Sequence, residues 1–193
     1  AILQGAFSLG AGIDSLNNAA GGTIIGTVDG GADLDYITNF GSINGLIYSG
    51  DGNDFIQNIG PGVIVGNIDA GGGSDYLYNS GLINGSINGG IGNDSLLLPN
   101  FSGSMTGNIV QGEGNDSLGN QSGFVGGSVD MGTGNDYVLI LFGATSLARI
   151  NGSVSLGDGL DTLYNSLSST IGGSVVGGSS SDSIYNSGTI GGN

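Results

Sequence analysis

Apolar residues recur along the chain in three columns that keep fixed distances from a repeated aspartate. Each aspartate follows a glycine by nine residues, and successive aspartates lie 21 residues apart on average. One apolar column lies two residues after the aspartate, one seven residues before it, and one two residues before the glycine. Self-similarity at this period is typical of a solenoid of stacked coils. The nine pairs are Gly5/Asp14, Gly26/Asp35, Gly45/Asp54, Gly66/Asp75, Gly85/Asp94, Gly107/Asp116, Gly127/Asp136, Gly152/Asp161 and Gly173/Asp182.

Each unit predicts two strands joined by a tight turn. The motif apolar-x-Gly-x-apolar has period two, so we expect one strand with its glycine facing inward. The aliphatic residue after the aspartate predicts the other strand. Glycine recurs four and two residues before the aspartate, which predicts a turn with positive φ angles. The sequence therefore predicts an all-β parallel β-solenoid, a β-helix or β-roll, of about nine coils that fills residues 1–193 as one domain.

An asparagine column marks the opposite edge of the predicted coil. Four residues after the aspartate, seven of the nine units have asparagine, and Leu98 and Ile140 interrupt the column. Stacked at roughly 4.8 Å, such amides form a hydrogen-bonded ladder. Beyond this position the spacing varies from unit to unit, with a long insertion around residues 142–148. We expect insertions to enter at this edge alone.

Composition narrows the classes of partner. The chain has 44 glycines, sixteen acids and Arg149 as its one basic residue, for a formal net charge of -15. Such a charge disfavours nucleic acid and anionic membranes and favours cations. Cysteine is absent, which excludes disulfides and thiolate metal sites. No stretch of 18 apolar residues occurs, so membrane insertion is not expected.

Four turns share the form Gly-x-Gly-Asn-Asp and end at Asp54, Asp94, Asp116 and Asp136. With the aliphatic residue two positions later, they resemble the calcium-binding nonapeptide G-G-x-G-x-D-x-U-x of RTX proteins, and the one-sided repeat of a bacterial ice adhesin. The resemblance implies right-handed coils, an extracellular or bacterial cell-surface location, and Ca²⁺ held between adjacent coils. The implied metal ligands are Asp54, Asp94, Asp116, Asp136, Asp75, Asp161 and Asp14, with the turn acids Asp51, Glu113 and Asp158.

The turn chemistry has two interpretations. Stacked carboxylates repel by about 1 kcal/mol in water and by more where water is excluded, and a hard cation with oxygen ligands would reverse that sign. The alternative is that each aspartate only accepts hydrogen bonds from turn amides and stays solvated. Asp35 and Asp182 lack the second turn glycine and are expected to be weaker sites.

Three other functions remain open at this point. An enzyme is not expected, because histidine and lysine are absent, although a hydrolase could draw on Asp29, Asp33, Asp69, Asp130 and Asp158. Ice binding would need a regular Thr-Gly-Asn row, which occurs only at 133–135. Outward aromatics could bind glycans, or could simply pack across strands; these are Tyr36, Phe55, Tyr76 and Tyr137.

A structural role is the function that the sequence favours. The chain begins at Ala1 without a leader-like segment, so we expect a processed piece of an exported precursor. It begins and ends in the same strand of the coil, and neither end has a polar capping unit. These features indicate either a slice of a longer solenoid or head-to-tail association of copies into a surface filament or stalk. The sequence favours association, with an adhesin passenger segment that binds glycans or ice as the alternative.

Overall fold

The computed structural model, which describes residues 1–99, 103–142 and 147–192, is an all-β parallel solenoid of about nine coils. Each coil contributes one strand to each of three sheets, and neighbouring strands in a sheet come from successive coils. The predicted fold class and repeat are therefore confirmed. Within the described ranges, no helix is long and apolar enough to cross a membrane.

The strands are short and alternate between the sheets in chain order. Sheet A contains β1 (Ile2–Gln4), β4 (Thr23–Ile25), β7 (Ser42–Asn44), β10 (Val63–Val65), β13 (Leu82–Asn84), β16 (Ser104–Met105), β19 (Phe124–Val125), β22 (Arg149–Ile150), β25 (Thr170–Ile171) and β28 (Thr189–Ile190). Sheet B contains β2 (Phe7–Ala11), β5 (Val28–Ala32), β8 (Ile47–Asp51), β11 (Ile68–Gly72), β14 (Ile87–Ile91), β17 (Ile109–Glu113), β20 (Val129–Thr133), β23 (Val154–Ser155) and β26 (Val175–Val176). Sheet C contains β3 (Ser15–Asn18), β6 (Tyr36–Asn39), β9 (Phe55–Asn58), β12 (Tyr76–Asn79), β15 (Ser95–Leu98), β18 (Ser117–Asn120), β21 (Tyr137–Ile140), β24 (Thr162–Asn165) and β27 (Ser183–Asn186).

The prediction of a single strand across the motif apolar-x-Gly-x-apolar is wrong. The chain bends at the glycine, so that β4 ends at Ile25 and β5 begins at Val28 in a different sheet. Gly26 has a φ of 133°, and a Cβ there would meet the carbonyl oxygen of Gly5 in the preceding coil. The glycine is therefore a corner, and the coil has three sides rather than two.

The turn between sheets B and C behaves as predicted. All nine glycines that lie four residues before the aspartate have positive φ. At Gly132, for example, φ is 98°, and an added Cβ would meet the carbonyl oxygen of Gly112 one coil before. Only glycine combines this backbone conformation with so close an approach between coils. The turn therefore cannot lengthen or change register.

The core lies inside the three sheets and consists of residues in register. The sheet A column Ile24, Ile43 and Ile64 pairs strand to strand, and each residue is at most 1% exposed. Fully burying such a side chain contributes about 1.5–3 kcal/mol. The same column is open at the first coil, where Leu3 is 50% exposed. Burial of an apolar column therefore depends on having a coil on each side.

The predicted asparagine ladder forms at the corner between sheets C and A. The Asn39 amide accepts from Asn18 Nδ2 at 2.8 Å and donates to Asn58 Oδ1 at 2.9 Å. Ile140 has no amide to donate, and the Oδ1 of Asn165 in the next coil is accordingly buried without a hydrogen bond. Changes in coil length are also confined to this corner: two residues separate β6 from β7, whereas eight separate β21 from β22. Of the predicted long insertion, residues 143–146 lie outside the described ranges.

The close approach at the turn leads to a stability prediction for Gly112→Ala. Gly112 has a φ of 113°, and its Cβ would collide with the Gly90 carbonyl. Left-handed strain alone costs about 1–2 kcal/mol, so we expect a loss of at least about 2 kcal/mol in urea unfolding, because the backbone must also shift. Gly119→Ala in the same coil is the control, because there a Cβ meets only the end of the Leu97 side chain, at 3.0 Å. Equal losses in the two variants would contradict this account of the turn.

Candidate functional site: the buried aspartate column

The nine repeated aspartates, called here the register aspartates, form a column at the corner between sheets B and C. Each lies between the turn and the first residue of a sheet C strand. In the seven coils from Asp35 to Asp161 the residue is at most 4% exposed. The interpretation in which these carboxylates stay solvated is therefore wrong. The sequence could have predicted this burial. Residues two apart in a strand face the same side, and the residue two positions after each aspartate belongs to an apolar, inward-facing column.

One oxygen of each register aspartate from Asp35 to Asp182 accepts a coil-to-coil hydrogen bond. The backbone N–H of Asp54 donates to Asp75 Oδ1 at 2.7 Å, and the other coils repeat this contact. A carboxylate that accepts from a backbone N–H makes one of the stronger hydrogen bonds in proteins. The bond always runs from one coil to the next along the chain. The remaining donor–acceptor pairs are Asp14/Asp35, Asp35/Asp54, Asp75/Asp94, Asp94/Asp116, Asp116/Asp136, Asp136/Asp161 and Asp161/Asp182, at 2.7–3.2 Å.

The other oxygen has no partner. In the eight coils from Asp14 to Asp161 the Oδ2 atom is buried without a hydrogen bond within the described residues. At Asp54 the nearby Ser49 hydroxyl lowers the pKa of the carboxyl, although that hydroxyl donates to the Ala70 carbonyl. Leaving a buried polar atom unsatisfied costs about 1–3 kcal/mol, and more when the group is charged. The column therefore combines favourable hydrogen bonds between coils with the free-energy cost of burying a second, unpaired carboxylate oxygen.

Burial changes the acidity of these groups. It is the main cause that raises the pKa of Asp75 and Asp136 to about 7 and that of Asp116 to about 6, and the backbone N–H bond partly offsets it. Neighbouring carboxylates add to the rise at all three. Burial also raises the pKa of four others, Asp35, Asp54, Asp94 and Asp161. Proton binding is therefore a means by which the column can lose charge near neutral pH.

The residue five positions before the aspartate decides what surrounds Oδ2. At Gly30 and Gly89 an added Cβ would lie 2.7 and 2.6 Å from the Oδ2 atoms of Asp35 and Asp94. In three later coils this inward position holds a large buried side chain instead: Gln111, Met131 and Leu156. The sequence reasoning missed this column, although its period-two relation to the sheet B apolar column marks it as inward.

The surroundings of Oδ2 bear directly on the calcium prediction. Ca²⁺ takes six to eight oxygen ligands, and the hydrocarbon of Met131 and Leu156 occupies the inward position next to Asp136 and Asp161. Beside these two aspartates the residues do not fit a calcium site. Next to Asp35 and Asp94 the inward residue is glycine, and the atoms nearest to an added Cβ are oxygens: Oδ2 and the carbonyl oxygen of Ser49 or Gln111 in the next coil. The expected order of site quality, with Asp136 strong and Asp35 weak, is therefore not what the local packing favours.

The turn acids lie apart from the column. Asp51, Glu113 and Asp158 are exposed at the end of sheet B, while Asp54, Asp116 and Asp161 in the same coils are buried. In sheet B, Asp51 is paired with Gly72 and Ala32, and Glu113 with Ile91 and Thr133. Among the described residues no group of three or more acids is placed to hold one metal ion. The predicted ligands thus divide into an inner and an outer set.

The other candidate chemistry lies on outer faces. Asp29 and Asp69 flank Tyr48 on the outer face of sheet B, and Asp69 Oδ1 accepts from Asn88 Nδ2 at 3.0 Å. Asp130 lies on the same face and Asp33 in the adjacent turn. On sheet C, Tyr36 and Phe55 are exposed as expected, and their rings stack at 5.3 Å with planes 14° apart. The aromatics therefore pack across strands.

Comparison of the chain with protein-family models, with curated proteins and with solved structures found no significant match. The resemblance to RTX repeats therefore continues to rest on the turn residues alone.

The acidity of the column predicts a pH-dependent stability. An aspartate whose folded pKa is raised stabilises the fold fully below its unfolded pKa of about 3.9, and this contribution is lost as the pH rises through the folded value, about 7 for Asp136. In chelator we expect the melting midpoint to fall by at least about 5 °C between pH 5 and pH 8. Asp136→Asn should weaken this dependence, whereas Asp130→Asn, which removes an exposed charge from the same coil, should not. A midpoint that rises with pH would contradict the prediction.

Calcium stabilisation stays a prediction of the sequence, and a melt at pH 8 tests it. A ligand that binds the folded state at 100 times its dissociation constant adds about 2.7 kcal/mol. If the resemblance holds for function, millimolar Ca²⁺ raises the midpoint and a chelator reverses the effect. Gly89→Ala next to Asp94 should reduce the gain more than Gly119→Ala. If the melting midpoint is unchanged by calcium, the prediction that Ca²⁺ stabilises the fold is wrong.

Proposed function

We propose that this chain is a structural protein, a rigid rod whose copies associate head to tail in a filament or stalk outside the cell. The observation that carries the proposal is the single direction of its side-chain ladders. At eight coil contacts the aspartate backbone N–H donates to the Oδ1 atom of the following coil, as Asp14 does to Asp35. At four of them the asparagine Nδ2 does the same, as Asn18 does to Asn39.

This direction makes the two end faces of the rod complementary. On the first coil, the Oδ1 atoms of Asp14 and Asn18 are at the positions that, in later coils, accept hydrogen bonds from the preceding coil. On the last coil, the corresponding donors belong to Asp182 and Asn186, which accept from the coil before them. Docking the last coil of one copy on the first coil of another would continue both ladders, with β28 or the incoming β1 displaced at the contact, because sheet A has ten strands where the other two sheets have nine. Such a contact is heterologous and does not close, so it builds a filament.

Apolar columns support the same contact. Ile184 in the last coil is 43% exposed, whereas Leu163 directly before it in the column is fully buried. Leu3 on the first coil is exposed in the same way. Open sheet edges with exposed apolar residues favour pairing with another strand, and a second copy supplies strands in the correct register.

The location and the metal are further parts of the proposal. Placement outside the cell is supported by the resemblance of the turns to RTX repeats. Calcium in the coils at Asp35 and Asp94, where the inward residue is glycine, would neutralise charge there without being needed for the ladders. Labelling of intact cells with an antibody against the rod tests the location, and labelling only after lysis would contradict it.

Sedimentation and electron microscopy of the 193-residue chain test head-to-tail association. We expect the wild type to form rods whose length grows as the concentration rises, while their mass per unit length stays constant. Ile184→Asp and, at the opposite face, Leu3→Asp should each prevent this elongation, because a charge would be buried in the contact. Circular dichroism of each variant checks that the fold is kept.

Val176→Asp is the matched control for Ile184→Asp. Val176 lies in the last coil but on the outer face of sheet B, where it is 54% exposed. The same added charge there should leave elongation intact. A wild type that stays at the length of one copy, or an Ile184→Asp variant that elongates as Val176→Asp does, would contradict the proposal.

A further inference from the structure

The outer face of sheet C, called here the aromatic face, is free of charge over the whole rod. It is formed by the first and third residues of the nine strands, because the second and fourth face inward. Seven of these eighteen residues are aromatic and none is charged. The face consists of Ser15, Asn17, Tyr36, Thr38, Phe55, Gln57, Tyr76, Tyr78, Ser95, Leu97, Ser117, Gly119, Tyr137, Leu139, Thr162, Tyr164, Ser183 and Tyr185.

The surface charge is concentrated elsewhere. All seven acids outside the register lie on sheet B or in the turn that follows it: Asp29, Asp33, Asp51, Asp69, Glu113, Asp130 and Asp158. Because like charges repel, contact between two copies through sheet B is disfavoured. Two copies that meet through sheet C keep the sheet B faces on opposite sides of the pair.

The rings of this face are arranged as ridges. Tyr164 and Tyr185 stack at 4.6 Å with planes only 7° apart, and Tyr36 and Phe55 stack in the same way. Phe55 and Tyr76 are tilted at 45°, and Tyr137 and Tyr164 at 51°, so the rings form two rows along the rod. Ridges of this kind fit a second surface that has side chains in rows at the same spacing.

We propose that two copies of this chain pair side by side, each covering the aromatic face of the other. A nine-strand face of four-residue strands measures roughly 43 Å by 13 Å, so a pair buries about 1,100 Å² in total. That area exceeds the minimum of roughly 1,000 Å² for a biological interface and lies just below the range of about 1,200–2,000 Å² that is usual for stable ones. The contact is isologous, because both copies use the same face, and therefore closes at two copies. It is independent of head-to-tail docking, which uses the ends of the rod.

Mass per unit length in scanning transmission electron microscopy, or the cross-section in solution scattering, separates the two contacts. Head-to-tail docking lengthens the rod at constant mass per unit length, whereas side-by-side pairing doubles that mass. We expect the doubled value for the wild type at micromolar concentration and the single value for Leu97→Asp. Val65→Asp, on the exposed outer face of sheet A, should keep the doubled value.

Cross-linking provides a second readout that does not depend on a destabilising variant. The chain has no cysteine, and β15 is the middle strand of sheet C, so it faces its own equivalent in any two-fold pair. Leu97→Cys should be joined to its counterpart by a short bismaleimide, whereas Asn84→Cys on sheet A should not. A wild type with single mass per unit length, or equal cross-linking at the two positions, would overturn the proposal. The proposal would also be overturned if the single rod bound insoluble polysaccharide and substitutions at Phe55 and Leu97 abolished that binding. A glycan, rather than a second copy, would then cover the aromatic face.

Discussion

The contact between one coil and the next at the turn is the constraint on which the rest of the structure depends. The backbones approach so closely at the paired glycines, such as Gly112 and Gly132, that no Cβ fits between them. This approach brings the backbone N–H of one aspartate within 2.8 Å of the carboxylate of the next. It also fixes the register of all three sheets, so the apolar columns stack without offset. Variation in length is left to the opposite corner, where the two longest connections follow Leu98 and Ile140, the two positions at which asparagine is absent.

The same contact between coils also creates the main unfavourable interaction in the molecule, the burial of charged carboxylates. A ladder that needs an acceptor in every coil places a carboxylate in the interior in every coil, and one oxygen of each is left without a donor. Asparagine would satisfy the ladder without the charge, as the Asn39 and Asn58 column shows at the other corner. Keeping aspartate makes the stability of the rod depend on proton binding, because burial raises the pKa of these carboxyl groups.

Much of the fold could be predicted because the repeat restricts the alternatives. Nine examples of the turn showed which positions require glycine, and the asparagine column gave the second corner. The third sheet was missed because the motif around Gly26 also satisfies period two, and only the positive φ at that residue shows that the strand bends there. The site was harder to predict. Motif matching ranks turns by the residues next to the aspartate, whereas Met131 and Leu156, five positions away, decide how its carboxylate is surrounded.

The inward aspartate ladder holds the coils of the rod in register, with the other acids on sheet B or in the turn after it and the uncharged aromatic face on sheet C. A crystal structure of the chain grown at pH 8 with calcium tests that ladder most directly. The account predicts that Oδ1 of Asp136 accepts from the backbone N–H of Asp116 at about 2.8 Å, with the Met131 side chain beside its other oxygen. Carboxylates of Asp116 and Asp136 turned away from these amides to share a metal ion would contradict it.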